Sequence, residues 1–375
     1  MARDRQRVLM VAAEYPPHVG GVASYTQAVV AGLRETGAQV RVVTSVPDRA
    51  GTRPPGVTVT RTPALLNRRL VKTLALLAAG VVCYLRDRPH WVVLTKCTHE
   101  GLVGYVLKRL FGARYLVVAY GAELLERKHD PLVRAVFRAA DRILVDSVYA
   151  KGLVHELGID GDVVQVLYPG FARVPLVSED QVRSTRARYG LDGKLVLLTV
   201  ARLVRHKGHD QVLRALAGLV DRHPHVVYLI VGAGEERASL EHQIASLGLT
   251  RLVRMLGGLP QAEVDSLYQA CDVFVMPSRQ EGTDVEGLGM VYFEAALRGK
   301  PVIGGRSGGS PDAIRDGETG ILVDPTDAGD IARALDRVLS DPALRRQMGK
   351  AGRSRVLEEF SVARSAAQLS RHLTP

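Results

Sequence analysis

The chain has 375 residues, 46% of them hydrophobic and 24% charged, which exceeds the usual single core and excludes the disordered and fibrous classes. Its three cysteines, Cys83, Cys97 and Cys271, are scattered without a CxxC spacing; this argues against a disulfide framework or a zinc site and suits a cytoplasmic protein. The net charge of +11 is one-sided: residues 1–175 carry 24 Lys and Arg against 14 Asp and Glu, and residues 176–375 carry 26 against 25, so a basic surface suited to anionic lipid or phosphorylated ligands is expected in the first half.

The charged start is followed by Val8 to Ala13, an apolar run too short for a signal peptide, which reads as a first strand. From there short β-branched runs alternate with helical stretches, the signature of a parallel sheet. Strands are expected at Arg7–Ala13, Gln39–Val46, Val57–Thr62, Trp91–Lys96, Arg114–Tyr120, Arg142–Asp146 and Val163–Leu167. Between the third and fourth of these, Leu65 to Arg88 combines Arg68, Arg69 and Lys72 with many leucines and alanines. It suits either an ordinary domain helix or a membrane-docking one, and its longest uncharged stretch, Thr73–Leu85, is too short to span a bilayer.

Regularity lapses between Pro169 and Asp192, and the alternation then restarts, with strands at Leu195–Ala201, Val226–Val231, Val253–Leu256, Val273–Met276, Pro301–Gly304 and Gly320–Val323. The expected division is a Rossmann-like acceptor domain over 1–172, a linker over 173–192 and a Rossmann-like nucleotide-sugar domain over 193–357. A final helix over 358–375 returns to the first domain. Ligands of open parallel sheets bind beyond the carboxyl ends of the strands, so a site is expected in a cleft between the halves.

The loop after the first strand is Glu14-Tyr-Pro-Pro-His-Val-Gly20-Gly21, not the GxGxxG of a dinucleotide fold; its paired glycines let backbone amides approach an anion at a helix start. In the second half, Ala201-Arg202-Leu203 to Lys207-Gly208 sets two cations five positions apart in a strand-to-helix loop, suited to clamping a diphosphate whose negative charge grows as it departs. The segment Pro277 to Ala295 separates Glu286 from Glu294 by seven residues across Gly287-Leu288-Gly289-Met290-Val291. Its backbone amides can meet phosphate while the carboxylates accept sugar hydroxyls. Gly232-Ala233-Gly234 lacks a third glycine and runs into Glu235, so it is set aside as a phosphate loop. Asp160-Gly161-Asp162, which spells a metal-binding pattern of another fold, reads as a turn.

In order and spacing these motifs, with the later Ser307-Gly308-Gly309, resemble the family-four retaining glycosyltransferases of the GT-B fold, and the resemblance covers nearly the whole chain. It implies an α/β fold of two Rossmann-like domains facing across a cleft, with a nucleotide diphosphate sugar as co-substrate. Arg202 and Lys207 would hold the diphosphate, Glu286 the donor sugar and Glu294 the ribose, with backbone groups near Met255 and Gly257 on the base. The wording Asp284-Val-Glu-Gly-Leu-Gly-Met-Val is especially similar to mannosyltransferases acting on phosphatidylinositol mannosides, which implies GDP-mannose. A UDP-sugar with a soluble acceptor such as an aminocyclitol is the alternative, and a catalytically silent nucleotide- or lipid-binding module a third reading.

One departure stands out: the family's usual HGxE-like histidine is replaced in Tyr120-Gly121-Ala122-Glu123, and tyrosine carries no positive charge near pH 7. His18, His99 and His129 lie elsewhere and receive no role. With Arg202 and Lys207 available, neither metal nor cofactor is expected. The expected partners are the donor, a lipid or small-molecule acceptor and an anionic membrane surface, with no nucleic acid.

Overall fold

A computed structural model describes residues 6–16, 21–46, 56–62 and 69–373. It divides into two units, residues 1–171 with 360–375 and residues 172–359.

The first unit holds a seven-stranded sheet of β1 (Arg7–Val11), β2 (Gln39–Thr44), β3 (Thr58–Arg61), β4 (Trp91–Leu94), β5 (Tyr115–Ala119), β6 (Arg142–Val145) and β7 (Val164–Val166), in the order β3-β2-β1-β4-β5-β6-β7. Every pairing is parallel. Alternate side chains divide between two cores. Leu9, Val11, Val92, Leu94 and Val117 point into one, and Val8, Met10, Val93, Leu116 and Val118 into the other. This burial on both faces is why the strands read as nearly continuous apolar runs.

The last helix, Val362–His372, belongs to this unit and packs against helix Gly21–Glu35. A Cβ on Gly32 would lie 3.4 Å from the Ala366 Cα, so small residues permit the approach. Ser365 Oγ donates to the Tyr168 carbonyl at 2.9 Å and Gln368 Nε2 to that of Val166 at 2.6 Å, which ties the helix to the edge beyond β7.

The second unit holds β8 (Leu195–Val200), β9 (Val226–Val231), β10 (Val253–Gly257), β11 (Val273–Met276), β12 (Val302–Gly305) and β13 (Gly320–Val323), in the parallel order β10-β9-β8-β11-β12-β13. Its sheet is again buried on both sides. The segment 173–192, read from the sequence as a linker, carries helix Glu179–Arg188. Ser178 and Gln181 close its start with a capping box, and it packs on helix Gln261–Ala270.

In each sheet the strand order reverses once, between β1 and β4 and between β8 and β11. Loops leaving the carboxyl ends of those neighbours diverge to opposite faces and leave a crevice, the place where open parallel sheets bind ligands.

Candidate active site

At the second unit's reversal, β8 runs into Ala201-Arg202-Leu203 and then a 3-10 turn, Arg205–Lys207, closed by Gly208 at φ 76°. Gly208 must be glycine twice over: the backbone is left-handed, and a Cβ would stand 2.2 Å from the Pro277 carbonyl oxygen. The loop after β8 is thereby pressed against the loop after β11.

That contact brings the two motifs together. Lys207 Nζ meets Glu286 Oε2 at 2.6 Å, with the side chains only 14% and 12% exposed. Arg202 is exposed and has no hydrogen-bond or ion-pair partner among the described residues. One cation is thus paired with the carboxylate expected at the sugar, and the other stands open. His206 and His209 flank the pair, and burial first, then the Lys207 charge, lowers each to about 4. Both are therefore neutral at pH 7 and add no positive charge beside Lys207.

Glu286 is held from behind. Gly309 N donates to its carbonyl at 2.9 Å, and a Cβ on Gly308 would fall 2.3 Å from the same oxygen, so the Ser307-Gly308-Gly309 loop serves to seat Glu286. Beyond it, Gly287 and the buried Leu288 lead to Gly289 at φ 82°, which starts helix Met290–Leu297. The first amides of that helix, at Met290 and Val291, have no intrahelical acceptor and form an anion-attracting end. Tyr292 fixes this end: its hydroxyl donates to the Met276 carbonyl and shares a bond with Ser278 Oγ, both 2.7 Å.

Glu294 lies about one turn further in and has different neighbours. Its Oε2 accepts from Tyr268 OH at 2.9 Å, and no bond engages the second oxygen among the described residues. Arg298 stacks over the Tyr268 ring at 5.1 Å and pairs with Asp265 at 2.5 Å. Burial raises the Glu294 pKa, although Tyr268 and Arg298 oppose the shift. Met255 packs partly against the core on the edge strand β10, and Gly257 ends that strand at φ 72° with its carbonyl accepting from Gly232 N at 2.8 Å. A Cβ on Gly232 or Gly234 would strike the carbonyl of Ala201 or Leu203, so these glycines serve the packing of the Arg202 loop.

In the first unit, Gly20 lies outside the described residues and Gly21 opens its helix. Tyr120 follows β5 and precedes helix Gly121–Arg127. Its ring stands edge-on to Tyr25 at 5.5 Å, and its hydroxyl is buried with no partner. Burial holds that phenol well above its usual pKa, so it is an uncharged hydrogen-bonding group. Both Glu123 oxygens are likewise buried; burial, then repulsion from Glu100, raises Glu123 to about 7, with hydrogen bonding from Cys97 opposing the shift. Lys96 pairs with Glu14 where that sheet reverses. His18 lies outside the described residues, His99 bonds Thr73 at 2.8 Å, and His129 is exposed.

Asp160 pairs with His155 at 2.5 Å in an exposed turn, and among the described residues no group of three His, Cys, Asp or Glu has the spacing to hold a metal ion. Sequence reasoning missed Arg279 and Asp210, whose bidentate pair, 2.8 and 3.3 Å, joins the loop after β11 to the helix that begins after Gly208. Only the lone arginine in Pro277-Ser-Arg-Gln-Glu281 signals it.

The model of glycosyl transferases group 1 matches residues 181–355, and that of the glycosyl transferase 4-like domain residues 20–170. A GDP-mannose-dependent alpha-(1-6)-phosphatidylinositol monomannoside mannosyltransferase of Mycolicibacterium smegmatis is 34% identical over 72% of each chain. This chain is a group 1 glycosyltransferase. The Mycobacterium tuberculosis enzyme of the same description is 29% identical to this glycosyltransferase over 97% of each chain. A D-inositol 3-phosphate glycosyltransferase of Corynebacterium diphtheriae is 33% identical over 76% of this chain and 72% of its own. Among solved structures, sucrose-phosphate synthase from Thermosynechococcus elongatus superposes with a TM-score of 0.82 at 23% identity, covering 98% of both chains. Anabaena HepE, solved with UDP and glucose, reaches 0.79 at 19%, covering 98% of this chain and 99% of its own. The glycosyltransferase thus has the GT-B fold.

Proposed function

We propose that this glycosyltransferase moves mannose from GDP-mannose to a hydroxyl of a lipid-linked inositol-type acceptor, retaining the anomeric configuration. The observation that carries the reading is the Lys207–Glu286 pair beside the open Arg202. When a donor enters, Lys207 and Arg202 take its diphosphate, and Glu286 is released to accept a hydroxyl of the sugar. Glu294 offers its unengaged oxygen to the ribose, the amides around Gly287 to Val291 face phosphate, and the backbone at Met255 and Gly257 faces the base.

In the chemical step the bond from the anomeric carbon to the β-phosphate oxygen breaks as the acceptor oxygen bonds the same carbon. The acceptor's proton passes to the departing phosphate on that face. The two fixed cations neutralise that phosphate, so the reading includes no metal. The mannosyltransferase relatives favour GDP-mannose. The inositol-phosphate relative favours a second reading, transfer to a soluble polyol, for which a UDP-sugar is the donor to be tested.

A thermal-shift screen separates the two readings. GDP and GDP-mannose are expected to raise the melting temperature, since a ligand at a hundredfold excess over its Kd stabilises by about 2.7 kcal/mol. A shift with UDP and UDP-sugars alone would move the assignment to the second reading, and no shift with either would sink both.

The lipid side of the reading rests on helix Arg69–Asp87. Leu76 is buried beneath it, but Leu74, Val82 and Leu85 form an exposed stripe at 62%, 63% and 53%. Tyr84 stacks on Phe111 at 5.8 Å and continues the patch to Leu110 and Phe111, while Lys72, Arg86, Arg88, Arg109 and Arg114 stand exposed around it. An apolar stripe rimmed by arginine suits the surface of an anionic bilayer, and no helix among the described residues is long and apolar enough to cross one. The protein is expected to sediment with phosphatidylglycerol vesicles and the variant L74S/V82S/L85S to stay in solution. Equal sedimentation of the two would remove this surface from the reading.

A further inference from the structure

Lys207 and Glu286 come from loops that are 79 residues apart in sequence, and something must hold those loops in register while the pair exchanges partners with a substrate. Arg279 is placed to do so. Its side chain is 8% exposed and reaches three separate parts of the site. Nη1 and Nη2 bind the two Asp210 oxygens at 2.8 and 3.3 Å, and Asp210 is the second residue of helix His209–Ala217, which begins immediately after Gly208. Nε binds Glu281 Oε1 at 2.5 Å. Glu281 in turn closes a turn with Asp284 through reciprocal backbone bonds of 2.9 and 3.0 Å, and that turn delivers the chain to Glu286. The Arg279 amide donates to the His206 carbonyl at 2.8 Å, one residue before Lys207.

A planar guanidinium spends all three faces of its fork here, and lysine offers no equivalent because it is a point charge on a flexible stem. Neither of its carboxylate partners is Glu286, so the Arg279 network can stay closed while Lys207 leaves Glu286 for a diphosphate. We infer that Arg279 is a positioning residue of the transferase site: by clamping Asp210 and Glu281 it fixes the loops from which Lys207 and Glu286 project. This rests on the reading of Lys207 as a diphosphate cation. Arg279 itself need not touch the donor.

The test is a double-mutant cycle read by calorimetric titration with GDP, with UDP in parallel, on the full chain. The four proteins are the wild type, Arg279→Gln, Lys207→Ala and the combination. A positioning residue acts through the group that it positions, so Arg279→Gln is expected to weaken nucleotide binding about tenfold in the wild type and less than about twofold in the Lys207→Ala background. Equal weakening in both backgrounds, or none in the wild type, overturns the proposal. If Lys207→Ala alone leaves binding unchanged, the function reading itself fails and takes this one with it. Should Arg279→Gln not fold, Asp210→Asn replaces it in the same cycle, with the same expected coupling to Lys207 and the same result required to overturn it.

Discussion

Lys207→Ala is expected to lower kcat/KM by about a thousandfold, about 4 kcal/mol of transition-state stabilisation, the scale of removing one preorganised charge-stabilising donor from an active site. Two effects add. The departing diphosphate loses the cation that meets its growing charge, and Glu286, 12% exposed and 2.6 Å from Lys207, is left as a mostly buried carboxylate without its lysine partner. Glu286→Gln keeps the shape and removes the charge, so it is expected to lower turnover while leaving nucleotide affinity unchanged or improved, because Lys207 no longer has to be drawn from a competitor. Steady-state kinetics together with a melting curve for each variant provide the check. A loss below tenfold in the lysine variant, with an intact melting transition, would remove Lys207 from the chemistry.

Gly208→Ala is the second large effect. The residue has φ 76°, and its new methyl would stand 2.2 Å from the Pro277 oxygen, a backbone atom that cannot step aside without moving the loop after β11. Left-handed backbone costs a non-glycine residue about 1–2 kcal/mol, and separating two packed loops adds at least as much. The melting temperature of the second unit is expected to fall by about 10 °C. Activity should fall further than stability, because the shift parts Lys207 from Glu286. Gly248→Ala is the control: its φ is 70° but nothing lies within 4 Å of a Cβ there, so it carries the conformational cost without the collision. If both variants lose the same stability and neither loses activity, the close approach has no functional part.

Although the edge strands β3, β7 and β10 are only partly buried, most strands were legible because they are short runs of Val, Leu and Ile buried on both faces, as parallel sheets covered by helices require. Helix Glu179–Arg188 was not, because only Thr185 of its residues is buried and EDQVRSTRAR carries no apolar stripe. The Ser178 and Gln181 spacing was its one readable sign. Within the site, the motif glycines were legible as turns, but what they press against was not. Gly308 seats Glu286, and Gly232 serves the Arg202 loop, through contacts that exist only once β8 lies beside β9 and β11. Arg279 and Asp210 were invisible for the same reason: they stand 69 residues apart and become neighbours only when the sheet order reverses between β8 and β11. At Tyr120 the departure from the expected histidine was plain in the sequence. Its consequence, a ring edge-on to Tyr25 that carries a buried, uncharged hydroxyl, emerges only in the fold.

The insertion of residues 172–359 into the first unit bears on how the chain is made. During synthesis the amino-terminal sheet leaves the ribosome early, yet the face of helix Gly21–Glu35 that receives Val362–His372 stays bare until that later helix emerges. The second unit, encoded by one continuous stretch, can finish while the first is still waiting. Nascent chains stalled short of Val362 therefore present an uncovered apolar surface to chaperones, and an amino-terminal fragment cut at the unit boundary inherits that surface permanently.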